Sequence, residues 1–274
     1  VGEKDMLNAA GVSVKHDLPG VGKNLQDHII FPMVFHNRDK NTLEHAESLG
    51  NLVNYLIWGE GALSSNIAEG GGFVHTQPGL RGPDIQYHFA PGFFMNHGFD
   101  NPKHGHGFSI GPTLLQPMSV GEVRIESNSA HASPIIDHQY LSHSDDMKAL
   151  VAGYKIAMNI IKTEAFKPYF DGYFLPGKEL LTDEEIADHI IHHFQTLYHP
   201  TGTCKMGSDN MAVVDDQLRV HGVQNLRVVD ASIMPQIVRG NTHAPVMMIA
   251  EKAVDLILGV RKEAIREEVL EATA

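Results

Sequence analysis

Asp84-Ile-Gln-Tyr-His-Phe89 alternates polar and apolar side chains one by one. Successive side chains of an extended strand point to opposite faces, so this stretch reads as a half-buried β-strand. Phe108 to Leu115 and Gly121 to Glu126 read as two further strands, and Ile29 to Phe35 as another. Such short strands recur through a Gly-, Pro- and His-rich stretch from about 41 to 143. That spacing suggests an antiparallel sheet, with the polar run 96–107 as a loop. Val12 to Val14 alternate weakly, like a strand, before Pro19, Gly20 and Gly22 break the pattern.

Helices are expected on either side of a second set of strands. Ser144 opens one in which Met147, Leu150, Val151, Tyr154, Met158 and Ile161 share a stripe. Thr182-Asp-Glu-Glu185 is a capping box with three acids in the first turn, where the helix dipole favours them. Ile186, Ile190, Ile191 and Phe194 should be the buried side of that helix. Leu218 to Val220, a turn at His221-Gly222, and Leu226 to Val229 then read as short strands ending at Asp230. A last helix is expected from about Pro245 to Leu258, because Pro suits a first helical position and Gly259 suits a stop. It is apolar almost all round and should be interior. Residues 261–274 read as a charged, helix-prone tail.

Composition narrows the function classes. The 274 residues carry a net charge of −12, which argues against a nucleic-acid or anionic-membrane binder. With 42% hydrophobic and 20% charged residues the chain is that of a globular protein, long enough for one large domain or two modest ones. One cysteine, Cys204, allows no intrachain disulfide and no Cys-pair zinc ribbon, and it reads as a buried, inert thiol. No run approaches the roughly 18 apolar residues of a spanning helix. Val1 is not followed by a basic and then an apolar region, so no signal peptide is expected.

The 18 histidines define the candidate chemistry. His189, His192 and His193 could share a helix face as a metal pair, or could simply be a solvated face. His97, His104 and His106 sit in a loop, where histidines are usually exposed. The third group differs in context. His199, in Tyr198-His-Pro-Thr-Gly-Thr-Cys-Lys-Met-Gly207, follows the capped helix and precedes a Pro/Gly turn. His243 immediately precedes the buried last helix. A helix start offers unpaired N–H groups and partial positive charge, a place to hold a developing anion. Residue types alone leave a catalytic pair and two satisfied core histidines as equal alternatives.

Four stretches carry a resemblance: Asp17-Leu-Pro-Gly-Val-Gly-Lys-Asn-Leu-Gln-Asp-His28, Tyr198 to Gly207, Leu226-Arg-Val-Val-Asp-Ala-Ser-Ile-Met-Pro235, and Gly240-Asn-Thr-His-Ala-Pro-Val-Met-Met-Ile-Ala-Glu-Lys252. Together they resemble the glucose–methanol–choline flavin oxidoreductases, on the branch similar to choline and alcohol dehydrogenases, over nearly the whole chain up to Leu258. The resemblance implies FAD as cofactor. It makes His199 the catalytic acid/base and His243 the second active-site residue. It places FAD against Asp230, Ala231, Asn241, Thr242, Ala244, Pro245 and Val246. Tyr198 would line the substrate pocket. Glu69, in Glu69-Gly-Gly-Gly-Phe73, would face a cationic substrate, or is a structural acid beside a glycine turn.

The family's chain is about twice this long, and its N-terminal half carries the G-x-G-x-x-G phosphate-binding turn. The nearest match here, Gly20-Val-Gly22-Lys-Asn-Leu25, has Leu at the third glycine and lacks a following helix pattern. Val1-Gly2 resemble the tail of a family motif cut through its middle. The resemblance therefore implies a C-terminal half, with the FAD-binding N-terminal half as absent partner.

The expected fold class is mixed α/β (α+β): an antiparallel substrate-domain sheet with helices, plus the returning part of a Rossmann-like FAD-binding domain. Expected divisions are 1–30, remnant of the FAD domain and linker; 31–195, substrate-binding domain; 196–260, C-terminal FAD-domain part with the catalytic residues; and 261–274, tail. The expected function is FAD-dependent oxidation of an alcohol, choline-like or another primary alcohol, to the aldehyde, by a fragment inactive alone. A non-enzymatic binding module and a His-based metalloprotein are the alternatives, although the site is expected to hold no metal. Expected partners are a small-molecule alcohol and an electron acceptor, with no nucleic acid. The expected location is cytoplasmic or peripheral to the inner membrane.

Overall fold

A computed structural model describes residues 1–259. Two compact units emerge: one from Asp27–Ser119 and Gln139–His199, the other from Val1–Gln26, Val120–His138 and Pro200 onward.

The first unit is built on a sheet of seven antiparallel strands. Its centre is β5, Gly107–Leu114, buried at every position. On one side β5 pairs with β4 (Ile85–Ala90), which pairs with β3 (Gly70–Val74). Along the other side lie β1 (Ile29–Ile30) and β2 (Met33–Asn37) in turn. The sequence suggested one strand from Ile29 to Phe35. It is two, because Pro32 has no N–H to donate to the ladder, and the pairing resumes at Met33↔Ile110. Beyond them, β9 (Gln195–Thr196) pairs with β1 and β8 (Phe170–Leu175) with β2.

Helix α3 (Ser144–Ile161) covers this sheet. Its predicted stripe packs Leu150, Tyr154, Met158 and Ile161 against Phe31, Phe35, Ile85, Phe108 and Ile110. Tyr87 Oη donates to the Gly153 carbonyl at 2.8 Å, tying β4 to the helix. Asp146, buried in the first turn, accepts from Met118 N at 2.7 Å and Ser119 N at 2.9 Å. Helix α4 (Asp183–His193) forms its capping box as read. Ile186 and Ile190 are buried, but Ile191 is 54% exposed, since the core lies on one stripe only.

Helix α2 (Leu49–Trp58), capped by Ser48 and closed by Gly59, was not anticipated. Leu49, Leu52, Val53 and Leu56 give it helical spacing, yet none of its residues is buried. Strands β3, β8 and β9 were likewise not anticipated; β3 is glycine-rich and has little apolar signal.

The second unit holds α1 (Lys4–Ala9), the hairpin β6 (Glu122–Arg124) and β7 (Ile135–Asp137), and α5 (His243–Leu258). The strand expected at Val12–Val14 is absent: Val12 N donates to Leu7 O and closes α1 instead. The strands expected at Leu218–Val220 and Leu226–Val229 shrink to single bridges, Val214↔Val220 and Arg219↔Arg227. Val220 N still donates to Leu226 O and Val228 N to Leu218 O, but the Asp215 carboxylate takes the Arg219 N–H inside the first segment and the Gln217 N–H just ahead of it.

Helix α5 begins two residues before Pro245 and ends at Gly259 in the left-handed conformation. Proline as third residue still costs nothing, because that N–H has no intrahelical acceptor. The helix is not interior. Ile249 and Ala253 are buried among Val213, Val214, Ile233 and Met234, whereas Met247, Met248, Val254, Ile257 and Leu258 are exposed. The described residues pack one side of a helix whose other faces are also largely apolar, apart from the exposed Glu251 and Lys252. The predicted tail 261–274 lies outside the described residues.

Two glycines in the recognised motifs have steric reasons. A Cβ at Gly22 (φ +83°) would sit 2.1 Å from Val123 O, and one at Gly202 (φ +93°) 2.2 Å from Asn24 O. Gly22 therefore serves a backbone crossing, in line with the rejection of Gly20-Val-Gly22 as a phosphate turn.

Candidate active site

Strand pairing assembles the site in the sheet unit. The register Ile29↔Thr196 is antiparallel, so residues just before β1 lie opposite residues just after β9. Leu197 N donates to His28 O at 2.9 Å and extends this pairing. Asp27 and His28 are thereby brought to His199.

Asp27 is buried and accepts three hydrogen bonds. His199 N donates to Oδ1 at 2.8 Å. Tyr140 Oη donates to Oδ2 at 2.6 Å, and Thr196 Oγ1 donates to the same oxygen. Thr196 Oγ1 in turn accepts from Tyr198 N at 2.9 Å. Tyr198 is held at φ +62°, uncommon for an aromatic residue, immediately before His199. Its ring is exposed and its hydroxyl meets His97 Nδ1.

The His199 ring meets His28 edge-on, with centroids 5.1 Å apart and Nδ1 to Nδ1 at 2.9 Å. His28 is fully enclosed, and its Nε2 lies 3.1 Å from Leu115 O. Burial lowers the His199 pKa, and the Asp27 charge works in the opposite direction. His88 on β4, bonded through Nδ1 to Thr113 Oγ1 at 3.1 Å, is lowered by burial first and then by His199. A half-buried, neutral imidazole at physiological pH is the group a proton-accepting role requires.

Asp27 and His28 were quoted in the recognised motif but given no role from sequence. The available signal was an Asp-His pair immediately ahead of a predicted strand. It becomes informative only with the β1·β9 pairing.

His243 and the expected flavin contacts lie in the other unit. Asp230 is exposed and caps a 3-10 turn, Ala231–Ile233, by accepting from Ser232 N at 2.8 Å. Cys204 N donates to Ser232 O at 2.8 Å and Met206 N to Ile233 O at 2.7 Å, fixing that turn against the Cys204–Met206 segment of the same unit. Burial raises the Cys204 thiol pKa, as an inert thiol requires. Asn241 is exposed, and Thr242 is the buried N-cap of α5 without a side-chain capping bond. Val246 N makes the first i to i−4 bond, to Thr242 O at 3.0 Å. The N–H groups of His243 and Ala244 therefore have no acceptor within the helix, and both residues are exposed. Pro245 and Val246 are half-buried. Such a donor set at the positive end of a 16-residue helix fits an electron-rich ligand edge.

Glu69 stands exposed immediately ahead of β3. The loop histidines are not uniformly exposed: His104 is, but His106 Nδ1 meets Thr42 Oγ1 at 2.7 Å. His189 is buried and stacked on His193 rather than solvated. Among the described residues no group of three or more His, Cys, Asp or Glu is arranged to hold a metal ion. Among them, too, no helix is long and apolar enough to cross a membrane.

Comparison with known proteins agrees with the fold and with the motifs. Residues 117–250 match the family model described as GMC oxidoreductase. The chain is 40% identical to an alcohol dehydrogenase [acceptor] of Pseudomonas putida, covering 94% of this chain and 48% of that protein. It is 41% identical to an oxygen-dependent choline dehydrogenase of Cronobacter sakazakii, covering 94% and 47%. Among solved structures, pyridoxine 4-oxidase from Mesorbium loti superposes with a TM-score of 0.82 at 28% identity, over 96% of this chain and 48% of that one. A formate oxidase variant from Aspergillus oryzae, described for its effect on FAD modification, gives 0.86 at 26% identity over 94% and 51%. The mixed sheet-and-helix architecture is thus that of flavin-dependent oxidoreductases. The chain belongs to the glucose–methanol–choline (GMC) oxidoreductase family and corresponds to its C-terminal half. It spans about half the length of the relatives it matches.

Proposed function

We propose that this chain supplies the proton-accepting and substrate-facing part of an FAD-dependent alcohol oxidoreductase. The observation that carries the reading is the state of His199: half-buried, lowered in pKa by desolvation, and anchored by Asp27 and His28. Asp230, Ala231, Asn241, Thr242, Ala244, Pro245 and Val246 would hold the flavin, with the uncapped first turn of α5 offering N–H groups to its electron-rich edge. FAD held there would supply the hydride-accepting chemistry for oxidation of the alcohol carbon.

His199 takes the hydroxyl proton. A neutral imidazole within hydrogen-bond reach of an alcohol is competent to do so at neutral pH. Tyr198 lines the approach to His199, and Glu69 offers a carboxylate to a cationic alcohol. His243, exposed at the first turn of α5, donates to or stabilises an anionic oxygen according to its charge. The adenine and pyrophosphate parts of FAD would be held by polypeptide outside this chain. Turnover would then require that polypeptide.

The test is His199→Ala in the full-length oxidoreductase, followed by alcohol-dependent dye reduction. Loss of a positioned general base should lower turnover by about a hundredfold or more. A near-normal rate removes His199 from the reaction. The chain mixed with an N-terminal half and FAD should recover activity. A stable but inactive mixture would favour a binding module.

A further inference from the structure

We propose that His28 is a positioning residue that fixes the tautomer of His199, leaving the His199 Nε2 as the unprotonated nitrogen. The inference rests on the reading of His199 as proton acceptor and names what makes one particular nitrogen available.

Leu115 O can only accept, so His28 Nε2, 3.1 Å away, must carry a proton and donate it. In the neutral His28 ring, Nδ1 then has no proton and is an acceptor. His199 Nδ1 lies 2.9 Å from it, so His199 Nδ1 must be the donor. A neutral His199 with its proton on Nδ1 has its lone pair on Nε2. One carbonyl thus decides, through two rings, which atom of His199 can take a proton from substrate.

The anchor is rigid. Leu115 is buried, its own N donates to Asp84 O at 2.9 Å, and it directly follows β5, which is paired on both sides. The relay holds one end of His199 while Asp27 holds the other through the backbone N–H. The two rings meet at 84°, so the shared nitrogen contact also sets the His199 ring plane. The titratable groups that face His199 are Asp27, His28 and His88. The carboxylate of Asp27 is already occupied by three donors, so His28 is the group that addresses the ring. Without it, His199 would be free to adopt the tautomer with the proton on Nε2, which cannot accept a proton there.

Nitrogen-15 NMR of the histidine-labelled chain reads this directly, without flavin or substrate. At neutral pH the His199 Nδ1 should show the shift of a protonated nitrogen and Nε2 that of an unprotonated one. His28 should show the reverse, protonated at Nε2. His28→Leu should make the His199 tautomer mixed. His28→Asn, whose side-chain oxygen can still accept from Nδ1–H, should restore the native tautomer at least in part. In the full-length enzyme, His28→Leu should lower kcat by about tenfold or more, with a smaller change in KM and partial rescue by Asn. A wild-type spectrum with His199 protonated at Nε2, or with His28 doubly protonated, overturns the proposal whatever the variants do. If the tautomers are as stated but His199→Ala keeps its rate, the relay stands and the catalytic reading falls.

Discussion

Asp27 is the residue whose removal the structure prices most clearly. Three donors converge on its buried carboxylate: the His199 amide, the Tyr140 hydroxyl and the Thr196 hydroxyl. Asp27→Ala strands all three in a site with 4% residual exposure at position 27. Each buried, unsatisfied donor costs about 1–3 kcal/mol, so stranding three should cost roughly 3–9 kcal/mol, a large part of a domain's typical stability. Asp27→Asn is gentler. Its oxygen can keep the His199 amide, and its NH2 can donate to one hydroxyl, provided that hydroxyl rotates to accept. What disappears is the charge assistance, worth about 1–2 kcal/mol over these bonds. Urea unfolding of the chain followed by far-ultraviolet circular dichroism measures both. Two further signs are fixed. Burial first, then the Asp27 contact, raises the Tyr140 pKa, so Asp27→Asn should bring it down. The Asp27 charge partly offsets the burial that lowers His199, so the same variant should lower His199 further and move the acid limb of kcat/KM to lower pH. Equal and slight losses for Ala and Asn, below about 0.5 kcal/mol, would mean that the three donors find water and that the network is not structural.

Four other outcomes are expected. His199→Ala in the full-length enzyme lowers dye-coupled turnover at least about a hundredfold, as set out above. His189 sits neutral in the fold, lowered to about 4 mainly by burial against an ordinary unfolded value near 6.5. The unfolded chain therefore binds the extra proton first, and stability should fall between about pH 6.5 and 4 by at most roughly 3 kcal/mol, a loss that His189→Phe abolishes in acid unfolding titrations. Gly202→Ala places a Cβ 2.2 Å from Asn24 O at φ +93°, and should cost about 2 kcal/mol or more in urea unfolding. Glu69→Gln should raise KM for a cationic alcohol about threefold while leaving an uncharged alcohol of the same size unaffected, since Glu69 is exposed and its charge is screened.

The legible parts of the fold were those whose pattern is local. The stripe of α3 and the Thr182 capping box form as read, and the alternating stretch at Asp84–Phe89 does give a strand, although Ile85, Gln86 and Tyr87 are all buried rather than alternating in exposure. Failures have specific physical sources. Pro32 splits a strand that hydrophobicity alone made continuous. Asp215 takes the Arg219 N–H from the first of two short segments that looked like strands, and the two meet only at the bridge Arg219↔Arg227. Strand β3 is held by its backbone ladder to β4 from Gly70↔Phe89 to Val74↔Ile85, so its glycines carry no side-chain pattern to read. For α5, the largely apolar surface was seen, but interior placement depends on what else surrounds it, and the described residues pack only the Ile249 and Ala253 side.

The site was legible in its reactive residue and opaque in its support. His199 stood out because a Pro/Gly turn follows it within a recognised motif. Asp27 and His28 could not be assigned, because their partners are Tyr140, Thr196, Leu115 and His199, all between 87 and 172 positions away. No periodicity encodes such pairs; the register of two two-residue strands does. A one-residue slip of β9 against β1 would turn Thr196 away from Asp27 and move the His199 amide from its acceptor. The short β1·β9 ladder is therefore the element on which the chemistry depends, and its β1 half, Ile29 and Ile30, is also part of the buried core. Its precision comes from Asp27, which closes the register from one end by taking both a β9 hydroxyl and the amide three residues later. In this chain the buried carboxylate fixes geometry and stability together, and the proposed general base inherits its position from it.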